Sequence, residues 1–335
     1  MIQMTVSPLE NRLLEEWQRD LPIVPRPFAV MADRMDATEA NVIGCLKGLQ
    51  AKGAISRVGG VVRPNTLGAS TLAAMAVPDL EANSVADVLV REPGINHVYL
   101  RENDWNLWFV VTGPDRGYIE SVLHRITQRT GYRVLELRLE RAFYIDLGFS
   151  LRGAPEEASQ HANLYRADHR PYAIEDGDRE LVQTLTLGLP LVPQPFEAIA
   201  SRLQRTEADV IARITALTSA GIVPRLGVIV RHRALGWRSN AMVVWDIPPD
   251  RIEETGKMLA ATPGINLCYR RTRYAGDWPY NLYCMIHAKS RDEAISILTQ
   301  ASEASGLDDV PRKILFSLRC FKQTGAMVAL PEVAA

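Results

Sequence analysis

Residues 22–68 read PIVPRPFAVMADRMDATEANVIGCLKGLQAKGAISRVGGVVRPNTLG, and residues 190–236 read PLVPQPFEAIASRLQRTEADVIARITALTSAGIVPRLGVIVRHRALG. A shift of 168 superimposes the two stretches without a gap, and 20 of the 47 positions are identical. Such a repeat decides the fold, because a duplicated unit must first be read as one unit. With a shift of 170 the match resumes at Pro93-Gly94-Ile95-Asn96 against Pro263-Gly264-Ile265-Asn266, and continues at Tyr99 and Arg101 against Tyr269 and Arg271. After five extra residues in the second copy, Asn106-Leu107 meets Asn281-Leu282.

Each copy divides in two. An amphipathic helix, expected over Asn11–Asp20 and Asp178–Leu187, opens the first part. Pro27 and Pro195 suit the first turn of a second helix, and Thr38 and Thr206 suit the N-cap of a third, which Gly53 and Gly221 end. The segments AISRVGGVVR and IVPRLGVIVR then predict a β-ribbon in each copy, giving a winged helix-turn-helix. The second part predicts strand, helix, strand, strand, helix, strand, a ferredoxin-like order with helices on one face of an antiparallel sheet. The expected fold class is α+β, a tandem duplication. Its domains are winged helix-turn-helix units at 8–68 and 178–236, ferredoxin-like units at 69–150 and 237–325, and a linker at 151–177.

The chain's 335 residues suit two such copies, and its 38 basic and 39 acidic residues leave a net charge of −1. The basic residues divide into 32 Arg and 6 Lys, a bias that base composition explains and that also suits fork-like recognition of carboxylates. No apolar run approaches a bilayer's thickness, no signal-like start is present, and the four cysteines show no C-x-x-C spacing. A cytoplasmic protein with no membrane partner is the expectation.

Helix, turn, helix, wing followed by a ferredoxin-like unit resembles the Lrp/AsnC transcription regulators, in both copies. That resemblance implies an amino-acid-responsive DNA-binding protein, and the charges argue against it. Residues 38–51 carry Glu39 and Lys47, net zero, and residues 206–220 carry Glu207, Asp209 and Arg213, net minus one. A helix that enters the major groove places donors and cations at its start, whereas Thr-Glu-Ala repels phosphate. The wings offer Arg57, Arg63, Arg225 and Arg231. The helix-turn-helix reads as a retained structural module, with no DNA partner expected.

Reactive residues accumulate elsewhere. On a strand, residues two apart share a face, so His97, Tyr99 and Arg101 share one, as do Tyr269, Arg271 and Arg273. Arg63, Arg231, His232, Trp278 and His287 complete the clusters. Histidine, tyrosine and arginine beside tryptophan suit a flat aromatic ligand with several carboxylates better than they suit an aliphatic sheet. The strings VVRPNTLG, VRHRALGW, INHVYLRE with NLWFVVT, and CYRRTR with DWPYNLYCMIH are similar to the siroheme decarboxylases of heme d1 biosynthesis, in the fused two-domain form.

That resemblance implies loss of two acetate carboxyl groups of siroheme as CO2, giving didecarboxysiroheme. No cofactor beyond the substrate's iron is implied. His97, His232 and His287 are the candidates for proton transfer, with His97 placed near the iron or the reacting acetate and the other two in proton transfer or propionate binding. Arg63, Arg101, Arg231, Arg271 and Arg273 would hold carboxylates, Trp278 would contact the macrocycle, and Tyr99 and Tyr269 would donate to the acetate. The copies differ at His97 against Leu267, Pro64 against His232, and Thr112 against His287, so one complete site and one shared pocket both stay open. An internal pseudo-dimer is expected. A homodimer and other proteins of the pathway remain open as partners, and a tetrapyrrole-responsive regulator and a carrier without turnover are the competing functions.

Overall fold

The computed structural model describes residues 6–145 and 173–330. The expected domain end at 146–150 and most of the expected linker, 151–172, lie outside the described residues. Helix α1 (Pro8–Glu16) starts and stops earlier than its periodicity suggests. Ser7 and Glu10 form a capping box, with Ser7 Oγ accepting from the Glu10 amide and the Glu10 carboxylate accepting from the Ser7 amide. Asp20 has already turned to a positive φ of 54°. Helices α2 (Pro27–Arg34) and α3 (Glu39–Ala51) follow, Thr38 capping α3 by accepting from the Asn41 amide. Strand β1 (Ile55–Val61) completes the unit.

The expected wing hairpin in each copy is not what forms. Each copy contributes one strand, and β1 pairs antiparallel with the second copy's β7 (Arg225–Val230). The partners are exchanged reciprocally: Arg63 N donates to Ile222 O and Arg231 N to Ala54 O, while Leu21 N donates to Leu226 O and Leu189 N to Val58 O. Each of these pairs is related by the same shift of 168 that relates the sequences. At the centre Gly59 faces Gly227. A Cβ on Gly59 would lie 2.4 Å from Leu185 O, and one on Gly227 2.5 Å from Gln18 O, so two helix ends press directly on this ribbon. The helical units thereby share one core, in which Leu13, Phe28 and Leu46 join Leu181, Phe196 and Leu217. Arg225, read from sequence as a wing cation, is buried beneath Gln18 O at 2.7 Å.

The first sheet unit runs β2 (Ala69–Met75), α4 (Ala82–Arg91), β3 (Ile95–Arg101), β4 (Leu107–Gly113), α5 (Arg116–Thr130) and β5 (Val134–Leu137). Its expected fourth strand, RVLELRLE, breaks at Arg138, and β6 (Leu139–Ile145) leaves to pair with the other copy. After α6 (Asp178–Leu187), α7 (Pro195–Leu203) and α8 (Glu207–Ser219), the second unit follows β7. It comprises β8 (Ser239–Trp245), α9 (Ile252–Ala261), β9 (Ile265–Arg271), β10 (Leu282–Ala288), α10 (Arg291–Ala304) and β11 (Arg312–Gln323). The strand order is β5-β2-β4-β3-β11-β8-β10-β9-β6. Each half thus shows the ferredoxin-like order fourth, first, third, second. The fourth strand of each also reaches across: β11 pairs with β8 through Arg312–Phe316 and with β3 through Ser317–Gln323.

Alternation assigns the faces. Ala73 and Met75 pack with the α4 and α5 side of the first sheet, as Val243 and Trp245 do with the helices of the second. Their neighbours Ala74, Met242 and Val244 meet Trp108, Tyr283 and Leu315 in a cluster between the sheets. The sheets therefore face one another, helices outermost, and the inner face that sequence alternation gave to His97, Tyr99 and Arg101 opens toward the helix-turn-helix pair. No described helix is long and apolar enough to cross a membrane.

Candidate active site

One cavity of about 390 Å³ lies between the β1–β7 ribbon and the inner sheet faces, lined from both copies. Eight sequence candidates line it: Arg63, His97, Tyr99, Arg101, His232, Tyr269, Arg271 and His287. Three do not. Arg231 stands exposed in the stretch after β7. Arg273 lies at the rim of β9, paired with the Asp246 carboxylate at 2.8 Å and donating to Ile247 O. Trp278 packs behind the wall, donating from Nε1 to the Tyr283 hydroxyl at 2.7 Å and lying 5.2 Å from the Trp108 ring.

The arginines of the cavity differ from those outside. Surface arginines such as Arg12, Arg133 and Arg291 meet carboxylates. Arg57, Arg101 and Arg271 meet none among the described residues. Arg101 donates from Nη1 to Asn240 Oδ1 and Leu315 O, Arg271 to Leu137 O, and Arg57 to Gly60 O. Burial pushes Arg57 and Arg101 down to about 10 and lowers Arg271 as well. Arg101 stands 5.3 Å from the Tyr99 ring and Arg271 5.0 Å from the Tyr269 ring, matching positions of the two copies. Three buried cations without an acid partner are costly, and an arriving anion relieves that cost.

The histidines are neutral in this surrounding. Burial, with Arg57 adding to it, lowers His97 to about 4, and burial with Arg101 does the same to His287. Burial and then His287 hold His232 well below the usual imidazole range. His232, on the short 3₁₀ turn His232–Leu235, stands 5.2 Å from the His287 ring. His97 stacks on Tyr99 at 6.2 Å, and its Nδ1 has no hydrogen-bond partner among the described residues. A polar residue on β8, Asn240, and one in a bulge of β9, Asn266, hold His287 between them.

Both copies of the chain match the family profiles AsnC-like ligand binding domain (residues 66–143 and 234–322) and siroheme decarboxylase NirDL-like HTH domain (10–55 and 178–223). The siroheme decarboxylase NirDL subunit of Paracoccus denitrificans is 51% identical over 99% of this chain and 100% of its own length. That of Paracoccus pantotrophus is 52% identical over 99% of this chain and likewise all of its own. The chain belongs to the siroheme decarboxylase NirDL family. A crystal structure of a siroheme decarboxylase NirDL in complex with an iron-uroporphyrin III analogue has a TM-score of 0.66 at 25% identity, covering 95% of this chain and 93% of the other.

Set within the NirDL family, the cavity holds residues that sequence reading missed. Arg57 reads from the sequence only as a cation of the wing, and the cross-copy ribbon turns it into the cavity. Asn240 gave a usable signal: it shares a strand face with Met242 and Val244, where an amide is out of place. Asn266 carried its signal in the repeated Pro-Gly-Ile-Asn, which reads first as a turn.

Proposed function

We propose that the cavity takes siroheme and that the chain removes two of its acetate carboxyl groups as CO2, giving didecarboxysiroheme in heme d1 biosynthesis. The observation that carries the reading is the set of three buried guanidiniums, Arg57, Arg101 and Arg271, without acid partners in a largely apolar, histidine-bearing cavity. A dianionic or polyanionic macrocycle supplies the missing carboxylates while its rings cover the apolar wall.

Each step replaces CH2–CO2⁻ by CH3 and consumes one proton. Protonation of the ring carbon next to the one that bears the acetate makes the acetate-bearing carbon electron-poor and gives the macrocycle an electron sink. The C–CO2 bond then breaks, its electron pair flows into the ring, and the methylene carbon takes a proton as the ring carbon releases its own. The balance needs no oxidant or reductant, and the iron enters as part of the substrate. Carboxylates that enter beside neutral His97 and His232 favour the imidazolium forms, so substrate arrival itself loads the proton donors. Arg57, Arg101, Arg271 and Arg63 grip the carboxylates that stay, and Tyr99 and Tyr269, on the same inner face, donate to the reacting acetate. His97 is assigned to the iron or to that acetate, and the optical spectrum of its variant separates the two.

Anaerobic incubation with siroheme followed by mass analysis tests the reading: successive loss of two CO2 is expected. Tight uptake of siroheme with no loss of CO2 would leave a carrier, and occupancy of promoter DNA in a low-salt gel shift would restore the regulator.

A further inference from the structure

His287 is bonded at both ring nitrogens. Its Nδ1 lies 3.0 Å from Asn266 Oδ1, and its Nε2 lies 2.6 Å from Asn240 Nδ2. An imidazole beside an amide is ambiguous until the amide is oriented, and here donor-only groups orient both amides. The Arg101 guanidinium donates to Asn240 Oδ1 at 3.1 Å, which turns the Asn240 NH2 toward the ring. The backbone amide of His287 itself donates to Asn266 Oδ1 at 3.2 Å, which leaves that oxygen as the acceptor for Nδ1. The ring therefore carries its proton on Nδ1 and accepts at Nε2.

Local structure explains why both amides reach it. Asn240 is the antiparallel partner of His287 across β8 and β10. Asn266 occupies the bulge where β9 has one residue more than β10, between the pairs Ile265–Ile286 and Leu267–Met285, and the bulge re-aims its side chain. The groups with charge or titration around the ring include Arg101, from β3 of the other copy, and His232, on which Arg225 of β7 acts in turn. None of them favours an imidazolium.

We propose that Asn240 and Asn266 are positioning residues that clamp His287 as a neutral Nδ1-protonated imidazole, so that His287 binds and orients while proton transfer falls to His97 and His232. The clamp relays to the other half, because Arg101 is at once the anchor of Asn240 and a carboxylate-binding cation of the proposed site. This inference rests on the siroheme reading only for the identity of what is oriented.

Nitrogen-15 spectra of the full chain labelled at histidine test it, with His287→Gln used to assign the signal. The expected wild-type pattern is a protonated Nδ1 and an unprotonated Nε2 that persist from pH 8 to pH 5.5. Asn266→Asp is expected to bring the His287 titration up into the neutral range, because a carboxylate then faces Nδ1. Asn240→Val is expected to lower kcat by about 10-fold with KM changed less than about 3-fold and the acid limb of the pH profile intact. A wild-type ring protonated at Nε2, or one titrating near 6.5, overturns the clamp, as does loss of the acid limb in His287→Gln. A correct tautomer in a chain that leaves siroheme unchanged keeps the clamp and overturns the reading of function.

Discussion

The two halves of the cavity agree in their cations and disagree in their bases. Arg101 with Tyr99 and Arg271 with Tyr269 occupy matching strands and stack in the same way. The antiparallel pair Asn240–His287 of the second half is, in the first, Ser70–Thr112. Asn96, the counterpart of Asn266, has no partner for its Oδ1 among the described residues, since Thr112 offers no ring. Instead the tail after β11 crosses this corner: Thr324 N donates to Asn96 O at 2.8 Å and Met327 N to Thr112 Oγ1 at 2.9 Å. His97, in turn, has Leu267 as its counterpart. The cations are symmetric, as a ligand with carboxylates around its rim would require, while each imidazole stands in one half only. One shared cavity with unequal ends fits this better than two equal sites.

Unequal bases give the largest expected effect. His97→Ala and His232→Ala each lower siroheme turnover by about 10²–10⁴-fold, the usual scale for loss of a proton-transfer group, and His97→Ala alters the heme spectrum if it ligates iron. Their counterparts Leu267→Ala and Pro64→Ala lower it by less than about 10-fold. Comparable losses in both sets would break the comparison and argue for two working sites.

Equal cations give the next. Arg271→Met weakens siroheme binding by about 10–100-fold in an optical titration, the scale of a charge-assisted pair, and Arg57→Met by a similar factor. The unliganded melting temperature holds or rises, because each variant removes a buried charge that lacks an acid partner. A fall of more than about 5 °C with unchanged affinity would make these arginines structural.

Acid sharpens the contrast further. His97 and His287 titrate near 4 when folded and near 6.5 when unfolded, so the unfolded chain binds more protons between those values. Stability is therefore full above about pH 6.5 and falls as the pH drops toward 4, by on the order of 3 kcal/mol per ring at most. Melting curves between pH 7.5 and 5 check the slope, which His97→Gln reduces. Siroheme reverses the sign for the ring nearest its carboxylates, so binding takes up protons, seen calorimetrically as a dependence of the heat on the buffer.

Much of this was legible in the chain. The duplication, the caps at Thr38 and Thr206, the strand alternation and eight lining residues follow from local rules that need only a few neighbouring positions. What escaped depends on partners far apart in sequence. Periodicity says that ISRVGGV is a strand, but not that it pairs with RLGVIV of the other copy, and so it could not turn Arg57 inward. The same reason hid the break at Arg138, where the fourth strand trades one sheet for the other. Alternation from Tyr269 and Arg271 carries Arg273 into the expected site, and Arg231 enters it beside His232, yet each lies past the end of its strand, where alternation no longer governs direction.

The smallest effect tests the plugged corner. In the first half Thr112 Oγ1 accepts the Met327 amide where the second half places an imidazole. If the tail only seals a corner that has lost its base, Thr112→Val costs about 1 kcal/mol of stability, the usual worth of one buried hydrogen bond, and lowers the melting temperature by about 2 °C. Turnover then stays within about 2-fold, because no proton passes through a hydroxyl already committed to a backbone amide. A drop of 10-fold or more with an unchanged melting temperature would put Thr112 in the chemistry and make the two ends of the cavity functional equals after all.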